Sequence, residues 1–199
     1  MNYTRKTDPV LQPIDLDLAK MQCRIDADNS DQDAVLLLYI EAATALVEDY
    51  TGRSLMTQTW QASVCGFASR LWLPRAAPLQ ALTFIKYYDT SNVLQTLAST
   101  VYTIAAFSEP SRVTLVSGQT WPSLWDRDDA VQVEYVTGAS AQSSVPAALR
   151  QAVQMLVGHF YANREATVVG TSATPMPVAA QDLCAPHRLF VRHPEWYAA

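Results

Sequence analysis

Apolar positions recur with a helical period near both ends of the chain and with a strand-like period between. A short helix is expected over residues 16–25, with Asp15 as its cap, because a carboxylate there accepts from the open N–H groups of the first turn. The polar run Asp26-Ala27-Asp28-Asn29-Ser30-Asp31 reads as a loop, and Ser30 with Asp33 as a variant capping box. A second helix is predicted over 31–51. Leu36, Ile40, Ala43, Val47 and Tyr50 follow at spacings of 4, 3, 4 and 3, which makes one continuous apolar stripe. Val35, Leu38, Ala42, Ala45 and Leu46 form a second stripe beside it, leaving Glu41, Thr44, Glu48 and Asp49 as a narrow polar face. A helix this apolar needs neighbours on more than one side. Gly52 supplies the left-handed position that ends it.

From Ser54 the pattern shortens. Strand-like runs are expected at 55–64, 70–73, 79–88, 93–97, 101–106, 112–116 and 130–136, separated by turn signals such as Pro74, Pro78, Ser91-Asn92, Glu109-Pro110 and Ser117-Gly118. Val131-Gln132-Val133-Glu134-Tyr135 alternates strictly, so one face is buried and the other wet. Pro146 then suits a first helical turn, and Leu149, Val153, Leu156 and Phe160 line one face of a helix over 146–164. Residues 166–180 are rich in Thr, Ser, Gly, Pro and Val and read as a linker. The segment 182–197 becomes aromatic and basic, with Arg188, Phe190, Arg192, Trp196 and Tyr197. The fold class expected is α+β: a helical core of two N-terminal helices and one long C-terminal helix, an inserted small antiparallel β region over 54–137, and an extended C-terminal tail. Residues 1–165 form a single domain on this reading, and 166–199 a linker and tail.

Composition narrows the function classes. The chain has 199 residues, 49% hydrophobic and 17% charged, with a net charge of −5. The charged share lies below the roughly 25% usual for soluble domains, which suggests apolar surface buried between subunits. An acidic balance argues against a protein that grips phosphates through clustered Lys and Arg. Cys23, Cys65 and Cys184 stand in no CxxC or CxxH pair, so free thiols in a reducing cytosol are expected, with neither a zinc site nor a disulfide framework. The first twenty residues lack the apolar core of a signal peptide, and the apolar runs at 34–38 and 42–47 are too short to span a bilayer. Synthesis and assembly in the cytoplasm, without a membrane partner, is the reading.

Candidate chemistry is sparse. His159 falls in the last turns of a helix, where capping or packing explains it. His187 and His193 are not spaced as metal ligands. Asp126, Asp128 and Asp129 surround Arg127 and read as a solvated turn, although a metal-assisted nuclease could use such carboxylates. Trp60, Trp72, Trp121 and Trp125 read as core or interface anchors. No nucleophile elbow, P-loop, HExxH or GxGxxG motif occurs. No enzyme activity, cofactor, catalytic residue or metal site is expected.

One ordered string of motifs does carry a resemblance. It runs through Leu18-Ala19-Lys20, Arg24-Ile25-Asp26, Tyr39-Ile40-Glu41-Ala42-Ala43 and Val47-Glu48-Asp49-Tyr50-Thr51-Gly52-Arg53. It continues with Gln58-Thr59-Trp60, Leu73-Pro74, Pro78-Leu79, Tyr87-Tyr88-Asp89, Trp121-Pro122 and Val133-Glu134-Tyr135 before Gly138. It closes with Val145-Pro146, His159-Phe160-Tyr161-Ala162-Asn163-Arg164-Glu165 and Asp182-Leu183-Cys184-Ala185-Pro186-His187-Arg188. This order resembles the head-tail connector, or head-completion adaptor, proteins of tailed phages, prophages and gene transfer agents. The last motif departs from the family's pattern, with Cys184 where Leu is expected and His187 where Tyr is.

The resemblance implies a subunit of a ring, expected to be dodecameric, that docks beneath the portal protein in the neck of a virion. Such a ring extends the DNA channel, lets double-stranded DNA pass without sequence-specific binding, and offers a surface to neck or tail-completion proteins. By analogy the tail docks on the portal through Leu183, Pro186, Arg188, Leu189, Phe190, Val191, Trp196 and Tyr197. Leu36, Ile40, Ala43, Val47 and Tyr50 are the expected subunit-packing residues. The competing reading is a cytoplasmic, non-enzymatic binding module with an interaction motif in its tail.

Overall fold

The computed structural model describes residues 2–164 and 176–189. The elements in chain order are β1 (Asn2–Thr7), α1 (Leu16–Cys23), α2 (Asp33–Thr51), β2 (Gln58–Val64), β3 (Arg70–Trp72), β4 (Leu79–Tyr88), β5 (Leu94–Thr96), β6 (Tyr102–Ala105), β7 (Arg112–Leu115), β8 (Val131–Thr137), α3 (Ala147–Ala162) and α4 (Val178–Cys184). The class is α+β, as expected. In place of one domain over 1–165, the described chain divides into two compact units. One holds residues 2–9, 57–139 and Leu189; the other holds 10–56, 140–164 and 176–188.

In the helical unit, α3 packs against α1, α2 and α4. Asp15 caps α1 as expected, its side chain accepting from the Leu18 N–H at 2.9 Å. That helix stops at Cys23, two residues early, because Arg24 turns left-handed (φ 57°). The Ser30–Asp33 capping box does not form. Asn29 Oδ1 accepts from the Asp31 N–H instead, and Asp33 forms an ion pair with Lys20, Oδ1 to Nζ at 2.7 Å. Gly52 (φ 72°) ends α2, its N–H donating to the Glu48 carbonyl. At Gly158 of α3 an added Cβ would meet the Gln22 side chain of α1 at 3.1 Å, so a small residue permits that close approach.

Residues 176–188 correct the expected extended tail. Pro177 opens α4, a 3-10 turn over Ala185–His187 follows, and Ala180 and Cys184 are buried. Of the expected linker over 166–180, residues 166–175 lie outside the described residues, and 178–180 are helical. Met176, Ala180 and Cys184, four residues apart, give this stretch its buried face, a signal that its Pro and Thr neighbours obscured.

The β unit holds two antiparallel sheets, ordered β1-β2-β8-β4-β5 and β3-β7-β6. The predicted runs from 55 to 136 all carry strands, within one to three residues at their ends. The expectation missed β1, which precedes every helix and pairs antiparallel with β2. Its sequence, Asn-Tyr-Thr-Arg-Lys-Thr, is polar because all six residues are exposed. By contrast β2 and β8 alternate buried and half-buried residues throughout, as the pattern at 131–135 demanded. Their inward side chains, Trp60, Ala62, Val131, Val133 and Tyr135, share a core with Leu71, Leu73, Ile85 and Val113. Tyr135 donates its hydroxyl to the Pro74 carbonyl at 2.9 Å, and burial raises the phenol's pKa.

Candidate assembly surfaces

The structure reverses part of the reading of α2. Leu36, Ile40, Ala43 and Val47, expected to pack between subunits, are buried within their own helical unit. Tyr50 is half-buried, its ring 5.2 Å from the Arg188 guanidinium. The stripe that closes the unit's own core cannot also meet a neighbour. Thr44 and Glu48, assigned to the polar face, are buried as well. Glu48 escapes the cost of a buried carboxylate by accepting the Leu55 N–H at 2.7 Å.

The outward face of α2 carries an apolar stripe as well. Val35 is 41% exposed, Leu37 45% and Leu38 61%, and Ala42 and Ala45 are exposed beside them. Positions 35, 38, 42 and 45 share a face by helical spacing. Glu41 is exposed on the same helix, and Asp26, Asp28 and Asp31 are exposed in the loop before it. The sequence located this stripe but not its orientation.

The predicted docking tail divides. Leu183 and Leu189 are half-buried, and Pro186 and Arg188 are exposed. Arg53 Nε donates to the His187 carbonyl, tying the end of the 3-10 turn to the residue after α2's glycine cap. Phe190, Val191, Trp196 and Tyr197, with Arg192 and His193, lie outside the described residues.

The acidic cluster is organised around a cation. Arg127 forms a two-pronged pair with Asp129, with Nη2 2.9 Å from Oδ2, donates to Asn92 Oδ1 and lies 3.7 Å from the Tyr88 ring centroid. Hydrogen bonding to Arg127 holds the Asp129 carboxyl below its ordinary value. Asp126 and Asp128 are exposed. Among the described residues no three His, Cys, Asp or Glu side chains are grouped to hold a metal ion. None of the described helices is long and apolar enough to cross a membrane.

The tryptophans mostly anchor the β unit. Trp60 lies under Arg75 (5.2 Å) and against Tyr3 (5.5 Å), Trp72 under Arg112, and Trp121 stacks on Phe67 at 4.4 Å while donating to the Ala68 carbonyl. Trp125 is the exposed one of the four. His159 contacts Asn163, whose amide donates to the His159 carbonyl at the end of α3.

The molecule so defined is a two-unit α+β protein with an outward apolar helix face. Residues 13–102 match the family described as phage gp6-like head-tail connector protein. The chain resembles that family, as its motifs led us to expect. Its fold matches a chain from the neck of an empty gene transfer agent particle computed with sixfold symmetry, at a TM-score of 0.79 and 20% identity, covering 98% of this chain and 100% of that one. A chain of the native gene transfer agent virion matches at 0.77 and 22% identity over the same shares. A chain from the native neck, computed with twelvefold symmetry, matches at 0.70 and 20% identity, again over 98% and 100%. No curated protein matches the sequence.

Proposed function

We propose that this chain is a structural, non-enzymatic subunit of the head-tail connector ring in the neck of a phage or gene-transfer-agent virion. The observation that carries the reading is the family match over residues 13–102 together with a fold that aligns along its whole length with neck chains. The six- and twelvefold symmetries of those necks support a ring of identical subunits, twelve being the expected number. The ring docks under the portal protein, extends the DNA channel and gives neck or tail-completion proteins their attachment surface.

The outward stripe Val35, Leu38, Ala42 and Ala45 replaces the buried stripe as the subunit-packing surface. Removing these side chains from water supplies part of the association energy, at roughly 25 cal/mol per Å² of apolar area. Acidic residues such as Glu41 and a net charge of −5 suit a channel wall that repels phosphates and lets duplex DNA slide. The tail from Leu183 to Tyr197 docks on the portal, its aromatic and Arg residues serving as anchors.

Negative-stain microscopy of the protein, alone and mixed with the portal protein of the same particle, tests the proposal. Rings, or a new tier of density beneath the portal, are expected. A protein that stays monomeric and leaves the portal unchanged would overturn it.

A further inference from the structure

The N-terminal strand crosses between units within a few residues. Residues 2–9 fold with the β unit, whereas the chain from Val10 onward belongs to the helical unit. What holds β1 in place is the ladder to β2, in the register Asn2↔Ser63, Tyr3↔Ala62, Thr4↔Gln61 and Arg5↔Trp60. Three side-chain contacts reinforce it: Tyr3 against Trp60, Arg5 over the same indole at 6.0 Å, and Arg5 Nη1 donating to Gln58 Oε1 at 3.3 Å. All six β1 residues are nonetheless exposed, so the strand adds little apolar burial of its own. Trp60 and Gln58, which it helps cover, are buried. The edge of β2 therefore requires such a strand, but nothing in these contacts requires it to come from the same chain.

The hinge has matching properties. It runs from Asp8 through Pro9 to Gln12, and Pro13 follows, so the fixed φ of two prolines restricts its backbone. Between them Val10 is 94% exposed and Leu11 52%, two large apolar side chains covered by little of their own chain.

Resting on the ring reading, we propose that β1 is exchanged between neighbours when the ring assembles. The β1 of one copy pairs with β2 of the next, and Val10 and Leu11 are buried against that second copy. An identical strand reproduces every ladder bond, so exchange forfeits none of them while linking subunits head to tail. The contact is heterologous and closes under rotation.

Disulfide trapping decides between the arrangements. Thr4→Cys and Gln61→Cys are introduced together in a Cys23→Ser, Cys65→Ser background, with Asn2→Cys and Ser63→Cys as a second pair should the first disturb folding. Oxidised as the unassembled chain, either variant should give a cross-link within one chain. Oxidised after ring formation on the portal, it should give a ladder of covalent multimers on a non-reducing gel. Rings whose cross-links stay within single chains overturn the exchange and leave the connector reading standing. Failure of the unsubstituted chain to form rings overturns the connector reading and the exchange with it.

Discussion

Glu48 and Leu55 are joined across the end of α2: the buried Glu48 carboxylate accepts the Leu55 N–H at 2.7 Å. The bond crosses Gly52 and fixes the direction in which the chain leaves the helix. A side chain that periodicity assigns to the surface is thus part of the helical unit's interior.

Glu48→Ala strands the Leu55 N–H in a buried setting and should lower stability by about 1–3 kcal/mol. Glu48→Gln keeps an acceptor and should cost less. Urea denaturation of the two variants checks the order, and equal losses would mean that the acceptor is unimportant.

The two faces of α2 should respond oppositely. Leu36→Ala empties a fully buried site and should cost about 2–5 kcal/mol. Leu38→Asp alters an exposed position and should leave the melting temperature of the unassembled chain nearly unchanged while abolishing rings on the portal. Calorimetry paired with negative stain separates these effects.

The cysteines should react in an order set by burial. Cys65 is exposed, Cys23 half-buried and Cys184 buried. Cys65 should react first with a thiol reagent at neutral pH, and Cys184 only when the chain unfolds. Burial pushes the Cys184 thiol from 9.0 up to about 11. Because the folded value is the raised one, its thiol form favours folding fully below pH 9, and that contribution fades as pH rises toward 11. Thermal melts between pH 8 and 11 should show the decline, and Cys184→Ala should flatten it.

Acid should loosen the β unit's turns. Asp89 Oδ2 accepts from Gln95, and Oδ1 accepts the N–H groups of Val93 and Ser91; these bonds lower its pKa, as Arg127 does for Asp129. For a lowered carboxylate the stabilisation is present above the unfolded value and is lost as pH falls through the folded one. The protection of the Val93 N–H against hydrogen exchange, relative to an unstructured amide at the same pH, should therefore fall below the ordinary Asp range, near pH 4 and lower. Asp89→Asn should show the weaker protection already at neutral pH.

Truncation separates the two parts of the tail. Removing residues 190–199 should spare the fold and weaken portal attachment. Removing residues 180–199 should also destabilise the helical unit, because Ala180 and Cys184 are buried in it. Melting curves and a portal pull-down of both truncations test this, and equal stability would sink the assignment of α4 to the core.

Local pattern determined a good deal of this protein. The α+β class, three helices, the Asp15 and Gly52 caps and the alternation of β8 follow from period and from single residues with special backbone roles. The motif order was enough to suggest the connector family. Tertiary structure decided the rest. Which stripe of α2 faces inward was fixed by α3, since two apolar stripes on one helix are equivalent until a partner covers one. The polar strand β1 left no hydrophobic trace because its bonds are in the main chain and its partner, β2, lies more than fifty residues away. Thr44 and Glu48 read as surface because residue type reports polarity, whereas both are buried, and for Glu48 burial rests on the Leu55 N–H that only the folded chain brings within reach.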